Sequence, residues 1–518
     1  MKRNRAILVI GLAVLAGASC ARKAAEAPVM DNPLVAEFAT PFGVPPFDLI
    51  KNEHFPPAFA EGMAGQKREI EAITADPAPP TFANTVEALE RSGGLLNKVA
   101  GVFYNLTSSH TNEELQRIDQ ELAPKLAQHA DDIAMNAALF ARVKAVYEAR
   151  DGLELTTEQA RLLDETYKDF VRGGAGLPPD KQARLRQVNE ELSVLSVKFG
   201  ENVLKENNAF ELVLDAEADL AGLPPAVVAG AAEAAAERGR SGKWVFTLHK
   251  PSLIPFLQFS ERRELRERMF KAYIGRGANG GELDNRALAS RMAGLRVERA
   301  ALLGYPTHAD YVLEKSMAKT PRAVYDFLDK LWTPALSRAK AEAAEIRAMI
   351  RAEGGGFELE PWDWWYYAEK VKKAKYDLDD TVLRPYFQLE NVRDGAFAVA
   401  TKLYGITFAE RTDVPKYHED VRVFEVKDAD GSHLAVLYVD YYPRASKQGG
   451  AWMNNFREQS IRDGRDIRPV ISNNGNFSKP TAGQPALISY EEALTLFHEF
   501  GHALHGILTR CAYESLSG

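Results

Sequence analysis

The sequence predicts a mainly helical fold with a small β-sheet, and three observations support this prediction. Amphipathic helical patterns dominate residues 59–200, because apolar residues recur there with the spacing of one helix face. Short runs of β-branched and aromatic residues, typical of strands, appear only later in the chain. A helix start signal precedes a segment rich in apolar and histidine residues near residue 500. These features favour a helical protein with a small sheet beside a late helix.

Composition and charge indicate a folded protein and exclude the basic footprint of a nucleic-acid binder. The chain has 518 residues, 46% hydrophobic and 26% charged, which is enough for two or three domain-sized cores. It carries 64 Lys+Arg against 72 Asp+Glu, so its formal net charge is −8. Nucleic-acid binders carry clustered basic residues instead. We therefore expect no nucleic-acid partner, and we expect a monomer.

The N-terminus has the features of an export signal. Three positive residues precede an uncharged apolar run over 6–16, which is too short for a bilayer span of ~20 residues. Residues 17–20 read Gly-Ala-Ser-Cys and resemble the lipobox of bacterial lipoproteins, although glycine stands where leucine is usual. A plain secretory signal and an uncleaved anchor are the alternatives. Either of them still exports the protein.

The lipoprotein interpretation makes specific predictions. We expect a signal peptide over 1–19, lipid on Cys20, and a tether over 20–31. Alanine, not aspartate, follows Cys20, which by resemblance favours the outer membrane of a Gram-negative cell, facing the periplasm. The membrane is then contacted only through the lipid anchor. The one other cysteine, Cys511, is predicted to be half-buried and structural, so no disulfide framework is expected.

The first half of the chain reads as helix on helix. Amphipathic patterns cover 84–102 and 115–149, and glycine pairs break the helical patterns of this region. Two strand-like runs, 210–214 and 244–248, then flank an alanine-rich stretch over 216–238. Alanine favours helix, so that stretch needs no functional explanation.

The second half mixes a long helix with strands. A charged helical pattern over 322–351 ends at the glycine cluster 354–356, which lacks the lysine of a phosphate-binding loop. Residues 421–426 and 434–440 predict a hairpin. The run 468–473 contains a proline and is predicted to be an edge strand, because an edge leaves one row of N–H groups unpaired. Such an edge can pair with an extended peptide.

A helix late in the chain carries the residue pattern of zinc peptidases. Ser489 and Glu492 form a capping box that starts this helix. His498 and His502 are one turn apart on one face, so their imidazoles can bind one Zn²⁺. Glu499 is turned from that face by about 100°, where it can act as general base. The alternative is a chance His-Glu-x-x-His pattern in a surface helix.

Two further donors near the motif are not predicted to be zinc ligands. His505 lies about 10 Å along the helix axis from His498, too far for both to bind one ion on an unbroken helix. We expect His505 to orient a ligand or to pack. Glu514 is the one acidic residue after His502. It is disfavoured as a zinc ligand because so few residues separate it from His502 that the helix could hardly end and a second helix return to the ion. Catalytic zinc sites use three protein ligands, so the motif lacks one.

Residues 497–506, Phe-His-Glu-Phe-Gly-His-Ala-Leu-His-Gly, resemble the signature of the thimet oligopeptidase family of zinc peptidases. Further similar segments are spread over nearly the whole mature chain, at 32–33, 40–47, 383–387, 438–444, 450–453 and 476–480. Among the subfamilies, the chain is most similar to the peptidyl-dipeptidase Dcp branch.

This resemblance implies a two-lobed helical zincin with a deep substrate channel. Residues 32–255 are then an N-terminal helical region forming the channel wall, and 256–518 are the catalytic region. His498 and His502 are implied zinc ligands, with one ion per complete protein, and Glu499 the catalytic base. The implied substrates are short peptides, from which Dcp-like members release C-terminal dipeptides. An endo-acting oligopeptidase of the same family is the alternative.

The family's third ligand is a glutamate about 25 residues beyond the second histidine, and this chain ends at Gly518, before that point. We therefore expect a fragment truncated within its catalytic region, and we expect the activity of the complete protein rather than of this stretch alone. A further alternative follows from the same comparison. It is a non-catalytic, peptide-binding lipoprotein.

Overall fold

The computed structural model describes residues 32–481 and 483–518. The predictions for the signal peptide, for Cys20 and for the tether lie outside these residues. Among the helices that are described, none is long and apolar enough to cross a membrane.

The first part of the described chain is helical, as predicted. Its α-helices are α1 (Phe55–Ala75), α2 (Ala88–Glu90), α3 (Gly94–Ser109), α4 (Glu113–Ala134), α5 (Ala137–Glu148), α6 (Thr157–Arg172) and α7 (Pro179–Ala209). The helical pattern over 84–102 is broken at a glycine pair, as predicted, because Gly93 adopts a left-handed φ of 75° and α3 begins after it. The pattern over 115–149 forms two helices, α4 and α5. The Asn136 side chain accepts a hydrogen bond from the Leu139 N–H and starts α5.

The middle of the chain contains two short strands and a series of helices. These elements are β1 (Leu212–Leu214), α8 (Pro225–Glu237), β2 (Trp244–Phe246), α9 (Lys250–Phe259), α10 (Arg263–Ile274), α11 (Arg286–Leu302), α12 (His308–Leu313), α13 (Pro321–Ala352), α14 (Trp364–Tyr376), α15 (Asp380–Leu383) and α16 (Leu389–Tyr404). The strands β1 and β2 pair antiparallel around α8. The long predicted helix is confirmed as α13, which Thr320 caps and which ends before Gly354, where φ is 79°.

A five-stranded mixed sheet and a final helix complete the described fold. The elements are β3 (Thr407–Glu410), β4 (Arg422–Lys427), β5 (His433–Asp440), β6 (Trp452–Arg457), β7 (Ser460–Arg462), β8 (Arg465–Ile467), β9 (Val470–Asn474) and α17 (Tyr490–Leu508). The strand order of the large sheet is β3-β4-β5-β9-β6, while β7 and β8 form a separate pair. The predicted hairpin is confirmed as β4 and β5, which pair antiparallel.

The predicted edge strand over 468–473 is wrong. Its strand, β9, lies inside the sheet, parallel to β5 on one side and antiparallel to β6 on the other. Pro469 is tolerated because it precedes the strand, where its carbonyl accepts a hydrogen bond from the Val436 N–H (3.1 Å). The sheet edge nearest α17 is therefore β6.

The sheet lies between two layers of helices. Along β5, Leu437 and Val439 pack into a core with α16 and α17, while Val436 and Tyr438 pack into a second core with α1, α3 and α4. Successive side chains of a strand point to opposite faces, so both faces of β5 are apolar and its apolar run is unbroken. The mainly helical fold with a small sheet beside α17 is thus confirmed. The two lobes, the channel and the division at residue 256 stay predictions.

Candidate active site

The start of α17 is set by the predicted capping box. The Ser489 hydroxyl accepts a hydrogen bond from the Glu492 N–H (3.1 Å), and the Ser489 N–H donates to a Glu492 carboxylate oxygen (2.7 Å). The other Glu492 oxygen accepts from the Ser478 N–H (3.1 Å), and burial raises the pKa of this carboxyl. Glu492 therefore joins the helix start to the loop that follows β9.

The apolar residues of α17 divide between two faces. Phe500, Ala503 and Ile507 are buried in the core beneath the sheet. Leu494 and Phe497, by contrast, are 52% and 43% exposed. The helical spacing places them beside the histidines, on the face that points away from the sheet.

A glycine lets α17 pack closely on the sheet. A Cβ at Gly506 would lie 2.7 Å from the terminal methyl of Met453 in β6 and 2.9 Å from a methyl of Ile471 in β9. Such distances are shorter than normal van der Waals contact, so a larger residue would push the helix outward. Gly506 thereby keeps the histidine-bearing helix next to the sheet edge.

His498 and His502 come together as predicted. Their Nε2 atoms are 3.2 Å apart, and both side chains are exposed. Two nitrogen ligands at 2.0–2.1 Å from a tetrahedral zinc ion are about 3.3 Å apart, so the pair fits two zinc ligands. Glu499, the adjacent residue, is only 8% exposed. The two imidazole nitrogens therefore suit zinc, and the carboxylic acid Glu499 follows His498 directly in the helix.

The structure does not bring His505 or Glu514 to this pair. His505 is exposed, so it does not pack in the core. The Glu514 carboxylate instead pairs with Arg462 (2.6 Å). Within residues 32–481 and 483–518, no group of three His, Cys, Asp or Glu side chains could hold a metal ion. Cys511 is half-buried as predicted, with its thiol near the Leu516 carbonyl (3.2 Å).

Two residues that the sequence did not single out hold Glu499 in place. The Asn473 side-chain amide donates a hydrogen bond to the Glu499 carbonyl (2.7 Å), and the Tyr441 hydroxyl donates to the Asn473 side-chain oxygen (3.2 Å). Burial, and then the nearby Glu499 carboxylate, raises the pKa of Tyr441, so its hydroxyl stays a donor. The polar Ser-Asn-Asn end of β9 was the available signal.

A buried charge cluster connects the ends of β5 and β9. The Lys447 ammonium lies 2.9 Å from an Asp440 carboxylate oxygen and donates to the Gly475 carbonyl (2.6 Å), while Arg444 also binds Asp440 (2.8 Å). Burial alone would raise the pKa of Asp440, but the bonds and charges of Arg444 and Lys447 hold it below its usual value. Asp440 and Gly475 thus anchor the segments that flank the site.

Comparisons with known proteins find peptidases among the relatives of this chain. The sequence profile described as peptidase family M3 matches residues 256–518. The dipeptidyl carboxypeptidase of Escherichia coli (strain K12) is 43% identical over 488 residues, which cover 94% of this chain and 71% of that protein. Oligopeptidase A of Salmonella typhimurium is 36% identical over 497 residues, covering 94% of this chain and 72% of the relative.

A solved structure is also similar. The structure described as PZ peptidase A with inhibitor 2 is 14% identical and aligns with a TM-score of 0.43, covering 89% of this chain and 64% of that one.

Proposed function

The chain belongs to peptidase family M3, and from this premise we propose that it is a zinc peptidase that releases dipeptides from the C-terminal ends of short peptides. The observation that carries the proposal is the His498–His502 pair, whose Nε2 atoms are 3.2 Å apart beside Glu499. The 43% identity to a protein named dipeptidyl carboxypeptidase supports the dipeptide product.

Each residue of the site has a distinct role in the proposed reaction. Zinc, bound by His498 and His502, would supply the Lewis acid that polarises the peptide carbonyl and lowers the pKa of a water. The Glu499 carboxylate takes a proton from the attacking water and gives it to the departing amine. The bond from Asn473 to the Glu499 carbonyl keeps the main chain at Glu499 against the sheet.

The outer edge of β6 is the proposed docking site for the substrate backbone. Trp452–Arg457 pairs with β9 on one side only within the described sheet, and it lies beside α17. An extended peptide can add a strand to such an edge through main-chain hydrogen bonds. The peptide would then run past the histidine face of α17.

Zinc binding can be tested without measuring activity. The zinc content of the dialysed protein, determined by atomic absorption, should fall sharply in His498→Ala and in His502→Ala. His505→Ala is the matched control, since His505 is an exposed histidine of the same helix. Equal zinc content in all four proteins would contradict the ligand assignment.

The cleavage mode can be tested by product analysis. A decapeptide with a free C-terminus should yield C-terminal dipeptides, identified by mass spectrometry, whereas its C-terminal amide should be cleaved slowly. Internal fragments from both peptides would instead favour an endo-acting oligopeptidase, the mode to which the 36% identity with oligopeptidase A points. Peptide binding without turnover would favour a non-catalytic, peptide-binding protein.

We further propose that the protein is exported and held at the outer membrane by lipid on Cys20. Gly-Ala-Ser-Cys after an apolar run supports this proposal. Cys20→Ala should abolish labelling with radioactive palmitate and release the protein from the membrane fraction, while Cys511→Ala should change neither. Labelled Cys20→Ala protein would contradict the anchor.

A further inference from the structure

A cleft of about 350 Å³ lies among five helices, and none of its lining residues belongs to α17. Helices α4, α6, α7, α11 and α12 contribute to it. Its walls combine leucines with charged groups: Leu185, Leu192, Leu303, Asp131, Arg172 and Arg299. A volume of this size is within the range of small-molecule pockets, ~300–1,000 Å³. The cleft is therefore a separate candidate binding site.

Arg299 lines the cleft with unused hydrogen-bonding capacity. Its guanidinium lies over the Tyr311 ring, 5.2 Å from the centroid, and its Nε is buried without a hydrogen-bond partner. Among the described residues, no carboxylate lies within ion-pair distance of it. Arg172, over the same ring at 4.1 Å, is by contrast paired with Glu314. A buried donor without an acceptor is costly, so Arg299 favours an anionic ligand.

Asp131 supplies a group of opposite charge in the same cleft. It is 6% exposed, and one carboxylate oxygen accepts a hydrogen bond from the Asn189 side chain (2.8 Å). The described part of the chain offers no ion pair to Asp131 and no hydrogen bond to its second oxygen. Burial raises the pKa of this carboxyl, although the Asn189 hydrogen bond and the charge of nearby Arg186 act in the opposite direction. Asp131 therefore favours a cationic ligand.

The two groups together favour a ligand that carries both charges. We infer that the cleft binds a small zwitterion, a free amino acid or dipeptide, with its carboxylate on Arg299 and its ammonium on Asp131. Leucines of the cleft wall would contact an aliphatic side chain of the ligand. A simple anion such as phosphate would face the Asp131 carboxylate, and a simple cation would face Arg299. A zwitterion satisfies both groups at once.

The inference extends beyond the proposed peptidase activity and does not depend on it. Binding is measured by isothermal titration calorimetry on the 518-residue chain carrying His498→Ala and His502→Ala, which removes the proposed zinc site. The probes are L-leucine and L-alanyl-L-leucine, which separate an amino-acid from a dipeptide ligand. At least one of them should bind saturably. Failure of both to bind would overturn the inference.

Analogues test the two charges separately. N-acetyl-L-leucine lacks the ammonium group and L-leucinamide lacks the carboxylate, so each should bind on the order of tenfold more weakly than the intact zwitterion. An analogue that binds as tightly as its parent would contradict the assigned contact. Equally tight binding of inorganic phosphate would identify an anion-only site and overturn the inference.

Variants locate the ligand within the cleft. Arg299→Gln and Asp131→Asn should each weaken binding of the probe on the order of tenfold. Arg296→Gln is the matched control, because Arg296 is an exposed arginine one turn earlier on α11 that does not line the cleft. Circular dichroism melts should show that Arg299→Gln folds, since the substitution removes the contact over the Tyr311 ring but no ion pair among the described residues. Unchanged affinity in Arg299→Gln would contradict the site.

Discussion

At the scale of single residues, the site depends on side chains that act at different distances from the substrate. His498, Glu499 and His502 would touch zinc or the reacting atoms. Asn473 acts through Glu499, because its side chain donates to the Glu499 carbonyl and not to the carboxylate, and Tyr441 acts through Asn473. This division predicts different consequences for their replacement.

Replacing the proposed base should stop catalysis without removing zinc. Glu499→Gln keeps the size of the side chain but cannot accept a proton, so kcat should fall by about 10²–10⁴. The measurement is dipeptide release followed by chromatography, together with zinc content. Glu491→Gln is the control, because Glu491 is an exposed glutamate in the first turn of the same helix. A nearly unchanged kcat in Glu499→Gln would exclude it as the base.

Replacing Asn473 tests positioning. Asn473→Ala removes the donor to the Glu499 carbonyl and the acceptor for the buried Tyr441 hydroxyl, so the free energy of unfolding should fall by about 1–3 kcal/mol. We expect kcat to fall more than KM rises, because loss of this hydrogen bond displaces the main chain of Glu499, the proposed base. Urea denaturation and steady-state kinetics measure both, with Asn391→Ala at an exposed position of α16 as control. Equal losses in the two variants would contradict a specific role for Asn473.

At the scale of elements, local signals and helix packing decide different features. The capping box of Ser489 and Glu492 was predictable because it involves residues three positions apart. Contacts between helices depend on residues far apart in the chain. Between α4 and α7, Asp119 lies close to Glu201, and one Asp119 carboxylate oxygen is buried without a hydrogen-bond partner.

This contact predicts a pH-dependent stability. Burial, together with Glu201, raises the pKa of Asp119 from 3.8 to about 6. The folded protein holds this proton more tightly than the unfolded chain, so the resulting stability is fully present below about pH 4. It is lost as the pH rises to about 6.

Asp119→Asn should therefore stabilise the protein at neutral pH. The asparagine side chain at this position is uncharged at every pH. At pH 7 the free energy of unfolding of the variant should therefore exceed that of the wild type by about 1 kcal/mol, after allowance for solvent screening. The gain should vanish at pH 4. Urea denaturation at the two pH values measures it, with the exposed Glu154→Gln as control. A gain that is equal at both pH values would contradict the shifted pKa.

At the scale of the whole molecule, the sheet joins the N-terminal helices to the helix of the site. β5 contributes alternate side chains to both cores, so a cavity on either face affects the layers together. The sheet is thus the structural basis on which the position of α17 depends.

A cavity at the centre of this arrangement should destabilise the protein strongly. Leu437 on β5 is fully buried where the sheet packs against the layer of α16 and α17. Leu437→Ala should lower the free energy of unfolding by about 2–5 kcal/mol. Val399→Ala, at a position 45% exposed on α16, should change it little. Denaturation followed by circular dichroism compares them. Similar small effects in both variants would contradict a continuous core at Leu437.

The sequence by itself determined the helical class, the helix bearing His498 and His502, and the hairpin of β4 and β5. These features depend on residues within a few positions of one another, where periodicity, caps and turns are decisive. Only the tertiary structure decided that β9 lies inside the sheet and that β6 is its edge. It also decided that Asn473 reaches Glu499, 26 residues away, and that Asp131 and Arg299 share a cleft. Contacts of that kind depend on how distant segments pack, and no local pattern records it.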